Sequence, residues 1–428
     1  MSRARRVLRG LLATAVLAGL AAAGLVWHLN YNDGIDTERD HTVAGDPAML
    51  LARGAYLARA GNCLGCHTAR GGAPGAGGLP IATPFGTLYT SNLTPDDETG
   101  LGRWSAGAFW RALHRGRAAD GRLLIPAFPY THTTLMTRAD ADALFTYFHG
   151  LPPVRARPPA HALRWPYGTQ AALAVWRALY FRPGEFRPDP ARPPEWNQGA
   201  YLVRAVAHCS ACHAPRDRLG GADWASLAGG AMDAQGWYAP SLLNPREAGV
   251  ADWPAAEIAR LLRTGQADAG SASGPMAEVV LHGTQHLDDA DLHAIAAHLK
   301  ALPGATAGAA PAPAATPARR TAVGERIYDQ HCADCHGAQG EGLAGAFPPL
   351  AGNRAVTLPR AENLLQTVLF GGYGAATAGH PLPHGMPPFA LTLTDAEVAA
   401  VLSHIRTSWG NRAPEVSPLD VLGMRTMK

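Results

Sequence analysis

A chain of 428 residues is too long for one ordinary domain, and an apolar fraction of 47% is enough to bury several cores. Charged residues make up only 17%, the formal net charge is +3, and no clustered basic stripe marks a nucleic-acid binder. The 48 glycines and 35 prolines point to short elements separated by many loops.

Arg3, Arg5, Arg6 and Arg9 form a cationic start, and Gly10 to Trp27 follows without a charge. That run is just long enough to cross a bilayer, and the arginines ahead of it favour a cytoplasmic N-terminus. A cleaved signal peptide is the alternative, with Ala21-Ala22-Ala23 offering small residues to a peptidase. Trp27 is a residue preferred at the membrane interface, which favours a retained anchor touching lipid through residues 7–27. Either way everything after residue 30 is exported, so the expected location is the periplasmic side of the inner membrane.

An even cysteine count in an exported chain ordinarily suggests disulfides. Here the six cysteines fall as three pairs, Cys63-Leu-Gly-Cys66-His67, Cys209-Ser-Ala-Cys212-His213 and Cys332-Ala-Asp-Cys335-His336. Two intervening residues place the thiols to add across the two vinyl groups of a porphyrin, and the adjacent histidine falls beneath the iron. A redox dithiol or half a zinc site would share the spacing, but not three copies with no cysteine left over. The pattern therefore predicts three covalently bound haem c groups, held by Cys63, Cys66, Cys209, Cys212, Cys332 and Cys335. His67, His213 and His336 are the proximal ligands.

Each pentapeptide opens a repeat. Upstream stand Gly54-Ala55-Tyr56-Leu57, Gly199-Ala200-Tyr201-Leu202 and Gly324-Glu325-Arg326-Ile327-Tyr328 in short helical stretches. Downstream, helices are expected from Trp104-Ser105 to Arg115-Gly116, from Trp253-Pro254 to Thr264-Gly265, and from Ala361 to Phe370. Each repeat closes with an amphipathic helix, capped by Thr137, by Asp288, and by Thr394 in a box with Glu397. The chain thus reads as all-α: an anchor and spacer (1–45), a first unit (46–151), a proline-rich connector with a helix from Gln170 to Tyr180 (152–192), a second unit (193–302), an Ala/Pro linker (303–318) and a third unit (319–428).

The sixth iron ligand is usually Met or His, in the loop before the final helix. Met386 in Gly385-Met386-Pro387 fits that place in the third unit, with His380 and His384 as competitors. Met276 in Gly274-Pro275-Met276 fits it in the second, with His282 and His286 behind. The first unit carries Phe128 where sulfur is expected. His132 is the preferred ligand there, because Met136 directly precedes the cap Thr137 and suits a packing role.

The chain resembles the triple-haem cytochrome c subunits of bacterial periplasmic dehydrogenases. The resemblance runs over nearly everything after residue 45. It is carried by Thr83-Pro84-Phe85-Gly86, Ser91-Asn92-Leu93-Thr94-Pro95-Asp96, Phe181-Arg182-Pro183-Gly184, Glu195-Trp196-Asn197, Pro349-Leu350-Ala351-Gly352-Asn353 and Trp409-Gly410-Asn411-Arg412. It implies three tandem cytochrome c domains behind the membrane segment. They would pass electrons from a catalytic dehydrogenase subunit to quinone or a terminal oxidase. Such subunits serve quinoprotein alcohol, flavoprotein sugar or gluconate, and molybdenum-dependent aldehyde or N-heterocycle dehydrogenases. The Phe128 and His132 pattern is most similar to the molybdenum group, which implies a molybdopterin subunit and a small iron–sulfur subunit as partners. A multihaem peroxidase needs an open iron with a base above it, and no Glu-rich loop accompanies Phe128. A cytochrome subunit of a terminal oxidase normally brings more membrane-spanning sequence.

Overall fold

The computed structural model describes residues 3–31, 42–304 and 318–427, so most of the Ala/Pro linker expected at 303–318 lies outside the described residues. The first helix, Arg3–Tyr31, is the one described helix long and apolar enough to cross a membrane, with a mean hydropathy of 2.0 over its best window. A signal sequence near an N-terminus has the same character.

Around each cysteine pair the same three helices recur. The leading helices are Pro47–Ala60, Pro194–Tyr201 and Ala318–His331. Asp46 starts the first by accepting from the backbone N–H groups of Ala48 and Met49, with Pro47 at a position whose N–H would be unpaired in any case. The middle helices run Ala106–Arg115, Ala255–Thr264 and Glu362–Phe370. The closing helices, Arg138–His149, Asp289–Lys300 and Asp395–Thr407, start at the expected caps Thr137, Asp288 and Thr394, and Thr394 forms a full capping box with Glu397.

The all-α expectation needs an addition. Pro80–Thr83 pairs antiparallel with Gly86–Tyr89, Ala162–Leu163 extends that sheet, and three further two-stranded hairpins occur among the described residues. Strands of two to four residues leave no readable alternation, which is why sequence periodicity passes over them.

Each leading helix crosses its closing helix at a glycine. A Cβ on Gly54 would stand 2.0 Å from the carbonyl oxygen of Ala143, on Gly199 1.9 Å from that of Ala294, and on Gly324 2.3 Å from that of Ala400. No side chain fits between backbones this close. From the crossing glycine to the first cysteine the interval is nine residues in the first set (54 to 63) and ten in the second (199 to 209). The extra residue is absorbed by a π-helical turn at Leu202–Val206. The first two sets share one core, where Leu57, Phe109 and Leu144 meet Leu202, Val206 and Leu292. The third has its own core of Tyr328, Leu369, Val398 and Leu402, closed by Val421 and Met424 of the last helix, Pro418–Thr426.

Gly54→Ala is expected to lower stability by about 3 kcal/mol through overpacking. Gly423, exposed within the last helix, has nothing within 4 Å of an added Cβ, so Gly423→Ala should be neutral or stabilising by up to about 1 kcal/mol. Thermal unfolding compares the two, and equal midpoints would show that the crossing is not tight.

Candidate cofactor sites

His67 follows the turn Cys63–Cys66, and His213 and His336 end the corresponding turns Ser210–His213 and Ala333–His336. All three rings are held alike. Nδ1 lies 2.7 Å from the Ser91 carbonyl oxygen in the first, 2.7 Å from that of Pro240 in the second and 3.1 Å from that of Pro348 in the third. A carbonyl can only accept, so Nδ1 carries the proton and Nε2 keeps its lone pair for a metal. Burial pushes all three imidazoles below their usual range, so the rings are neutral.

None of the six cysteines is in a disulfide. Burial pushes the thiols of Cys63 and Cys209 up to about 12 and that of Cys332 up to about 11. A reactive redox dithiol needs the opposite shift. Among the described residues no group of His, Cys, Asp and Glu side chains is gathered to hold a bare metal ion. Paired thiols beside a neutral imidazole with Nε2 free fit a covalently attached haem.

The other expected ligands are placed as follows. Met386 lies in the strand Gly385–Met386, paired to Gly372–Tyr373 and half-buried against the third core beside Phe389. Met276 stands in the first turn of the helix Pro275–His282, half-buried with Ala277, Val280 and, from the third set, Ala375. His132, only 1% exposed, has Nδ1 3.0 Å from the Thr131 hydroxyl and Nε2 2.9 Å from that of Ser210. Ser210 donates to the Trp224 carbonyl, so Nε2 of His132 is the donor to Ser210 and Nδ1 accepts from Thr131. Ser210 belongs to the second cysteine pair, so His132 is tied to that motif. Burial, with His208 and Arg216 nearby, lowers its pKa to about 3. Met136 is buried in the shared core, as is Ala141 four positions past the cap.

Sequence reasoning missed what joins the first two sets. Tyr56 on the first leading helix donates to Asp291 of the second closing helix at 2.5 Å, and Tyr201 on the second donates to Asp140 of the first at 2.5 Å. Each hydroxyl also accepts from the cap backbone N–H of the same helix, Asp288 at 3.3 Å and Thr137 at 3.2 Å. The tyrosine thus does what Glu397 does alone in the third set: it bridges the cap N–H to the side chain at the third helical position. Gln198 and Arg53, equivalent positions one before the crossing glycines, complete the two aspartates at 2.8 and 2.9 Å. Burial raises both tyrosine pKa values, keeping them as donors. The readable signal was the tyrosine two residues after glycine in the first two sets against four in the third, where Tyr328 donates to its own Gly337 carbonyl.

This reciprocal pairing brings the first two motifs together. Nε2 of His208, just before Cys209, lies 3.2 Å from the carbonyl oxygen of Gly61, and the Cys66 thiol is close enough to feel Cys212. The third set joins the second through Asn353 to Ser271 at 3.2 Å, Arg354 to Asp252 at 3.0 Å, and Asn363 to both backbone groups of Tyr238.

Tyr201→Phe and Tyr56→Phe each leave a buried aspartate short of a donor and should each cost about 1.5–3 kcal/mol. Tyr328→Phe, which loses a neutral acceptor's partner, should cost about 1 kcal/mol. Denaturant titration checks the order, and a reversed order would remove the interlock from its central place.

Residues 198–303 and 321–409 match the cytochrome c family. The chain is 38% identical over 398 residues to "Alcohol dehydrogenase (quinone), cytochrome c subunit" of Gluconacetobacter polyoxogenes, covering 88% of this chain and 84% of that protein. It is 37% identical to "Gluconate 2-dehydrogenase cytochrome c subunit" of Pantoea cypripedii, over 88% and 89% respectively. It is 41% identical to a nicotinate dehydrogenase subunit of Pseudomonas putida, over 84% of this chain and 30% of that protein's length.

Proposed function

The chain belongs to the family of cytochrome c subunits of dehydrogenase complexes, and on that premise we propose that it is a three-haem conductor at the inner membrane, fed by a molybdopterin-type catalytic subunit. Electron transfer and covalent haem c follow from the family itself. The observation carrying the count of three is the triple recurrence of a CxxCH histidine whose Nδ1 is bonded to a carbonyl, each behind a glycine-crossed helix pair. On this reading three tandem cytochrome c domains occupy 46–151, 193–302 and 319–428, with the first two paired by Tyr56 and Tyr201.

Haem c, when bound, supplies a one-electron couple at each iron. The chain's own residues hold and tune it. Cys63, Cys66, Cys209, Cys212, Cys332 and Cys335 fasten the porphyrin edge. The carbonyls of Ser91, Pro240 and Pro348 aim the Nε2 atoms of His67, His213 and His336. Met276 and Met386 close the second and third irons against water and other small ligands. For the first iron the proposal is His132, with Met136 as the alternative. The hydrogen bond from His132 to Ser210 weighs against His132, since ligation would require that bond to break.

The choice of catalytic partner rests on two supports. Phe128 and His132 follow the molybdenum-hydroxylase pattern, and nicotinate, the substrate named for one relative, is an N-heterocycle. A small iron–sulfur subunit would accompany such a partner. The near full-length likeness to alcohol and gluconate dehydrogenase subunits supports the rival assignment. The helix Arg3–Tyr31 would hold the conductor beside its acceptor, quinone or a terminal oxidase.

Met276→Ala and Met386→Ala are each expected to abolish one methionine-to-iron charge-transfer band while haem content stays at three. An unchanged band would transfer the role to His286 or His384. His132→Ala should turn one haem high-spin and Met136→Leu should not; the reverse result assigns the first iron to Met136. Identification of the subunits that co-purify from native membranes decides the catalytic partner, and a quinoprotein or flavoprotein there would overturn the molybdopterin assignment.

A further inference from the structure

The connector helix Gln170–Tyr180 is held on three sides and apolar on the fourth. Gln170 exchanges hydrogen bonds with both backbone groups of Leu123, at 2.7 and 3.2 Å. Toward the second set, Trp176 donates to the Leu219 carbonyl at 2.9 Å and Tyr180 to Asp217 at 2.6 Å. The buried side, Leu173, Ala174 and Arg177, receives the end of the N-terminal helix, whose Val26 and Tyr31 pack into the cluster of Leu123, Leu173 and Ala174.

That junction is specific. The Asn30 side chain donates to the Ala174 carbonyl at 2.9 Å and accepts from Arg177 Nε at 2.8 Å. Arg117 donates to the Asn30 carbonyl at 2.5 Å and lies over the Tyr31 ring at 4.6 Å. Asn30 and Arg117 are each 1% exposed, so the helix is gripped where its apolar run ends.

The remaining side carries Ala171, Val175 and Leu179, spaced by four residues and exposed to solvent, the last two by 50% and 55%. Trp165, five residues before the helix, is 87% exposed, and Tyr167 also shows a face. Exposed Arg164 and Arg182 bracket the segment. Nothing among the described residues covers this stripe.

We propose that this segment lies on the lipid bilayer, with Ala171, Val175, Leu179 and Trp165 entering the boundary between headgroups and acyl chains. The inference rests on the reading that Arg3–Tyr31 spans the membrane. Its own ground is depth. Val26 belongs to the uncharged run, and Val26 and Asn30 are separated by about 6 Å of helix rise, so a helix packed against both sits at the bilayer surface. In-plane amphipathic helices bury their apolar face to a depth of about 5–10 Å, which matches. Tryptophan and arginine are the residues expected at that level, the ring in the interface and the guanidinium groups at lipid phosphates. The membrane helix supplies the tether and the connector stripe a second contact, and two contacts fix the orientation of the cofactor-bearing part over the membrane.

The test uses the full haem-loaded chain in native inner-membrane vesicles, with p-benzoylphenylalanine in place of Val175, Leu179, Leu17 or Leu419 in separate variants. Irradiation followed by mass spectrometry reads phospholipid adducts, and a haem content equal to that of the parent chain confirms folding. Leu17 lies within the apolar helix, and Leu419, 76% exposed, lies in the last helix. Lipid adducts at 175 and 179 are expected about tenfold above those at 419, as befits a helix seated in the interface. Adducts at 17 but not at 175 or 179 overturn the inference and leave the membrane helix standing. Their absence at 17 overturns the membrane reading itself. Protein adducts at 175 would make the stripe a docking face for another subunit, and equal labelling at 419 would reduce it to ordinary surface exposure; either result overturns the proposal.

Discussion

Two helix backbones can touch only where one of them lacks a Cβ at the contact, and three times in this chain a glycine meets an alanine carbonyl on that condition. Gly54, Gly199 and Gly324 therefore fix the height at which each leading helix crosses its closing helix. The CxxCH turn follows within eight to ten residues of each, so the crossing also fixes where the thiols and the histidine emerge. Where the spacing differs, the backbone adjusts instead of the crossing, as the π-helical turn at Leu202–Val206 shows. Fold and site are thus linked by one steric requirement.

The three sets are built alike but are not used alike. In the third, Glu397 reaches the cap N–H of its own helix. In the first two, an aspartate stands at that position and the neighbouring set's tyrosine makes the connection. Neither of those caps is complete without the other set, which is why the two share a core and why their cysteine motifs lie against each other. A buried hydrogen bond of this kind gives specificity of pairing as well as energy, because any other arrangement leaves an aspartate short of a donor. The consequence is a fixed separation between the first two cysteine motifs.

The strings that carry the family resemblance acquire physical roles. Ser91 supplies the carbonyl that orients His67. Asn353 caps the short helix Arg354–Thr357 and reaches Ser271 of the second set. Asn411 ties Gly352, Leu350 and Ile405 together behind the third site. These residues hold the backbone that holds the histidines, one step removed from the cofactor.

What the sequence alone determined is the chemistry that is local along the chain. Haem attachment needs two thiols and an imidazole within five residues, helix caps need partners three residues apart, and an apolar helix needs only a continuous run, so Cys63 to His67, Thr394 with Glu397, and Gly10 to Trp27 were all legible. What only the tertiary structure decided is chemistry between distant residues. The acceptor for His67 lies 24 residues away, the partner of Tyr56 lies 235 away, and Asn30 meets Ala174 across 144. His132 shows the difference within one residue. Its place in the loop before a closing helix is readable along the chain, whereas the contact of its Nε2 with Ser210, 78 residues on, is set only by the fold. A side chain's role as ligand or hydrogen-bond donor depends on which group folding brings to its lone pair, and spacing along the chain carries no information about that.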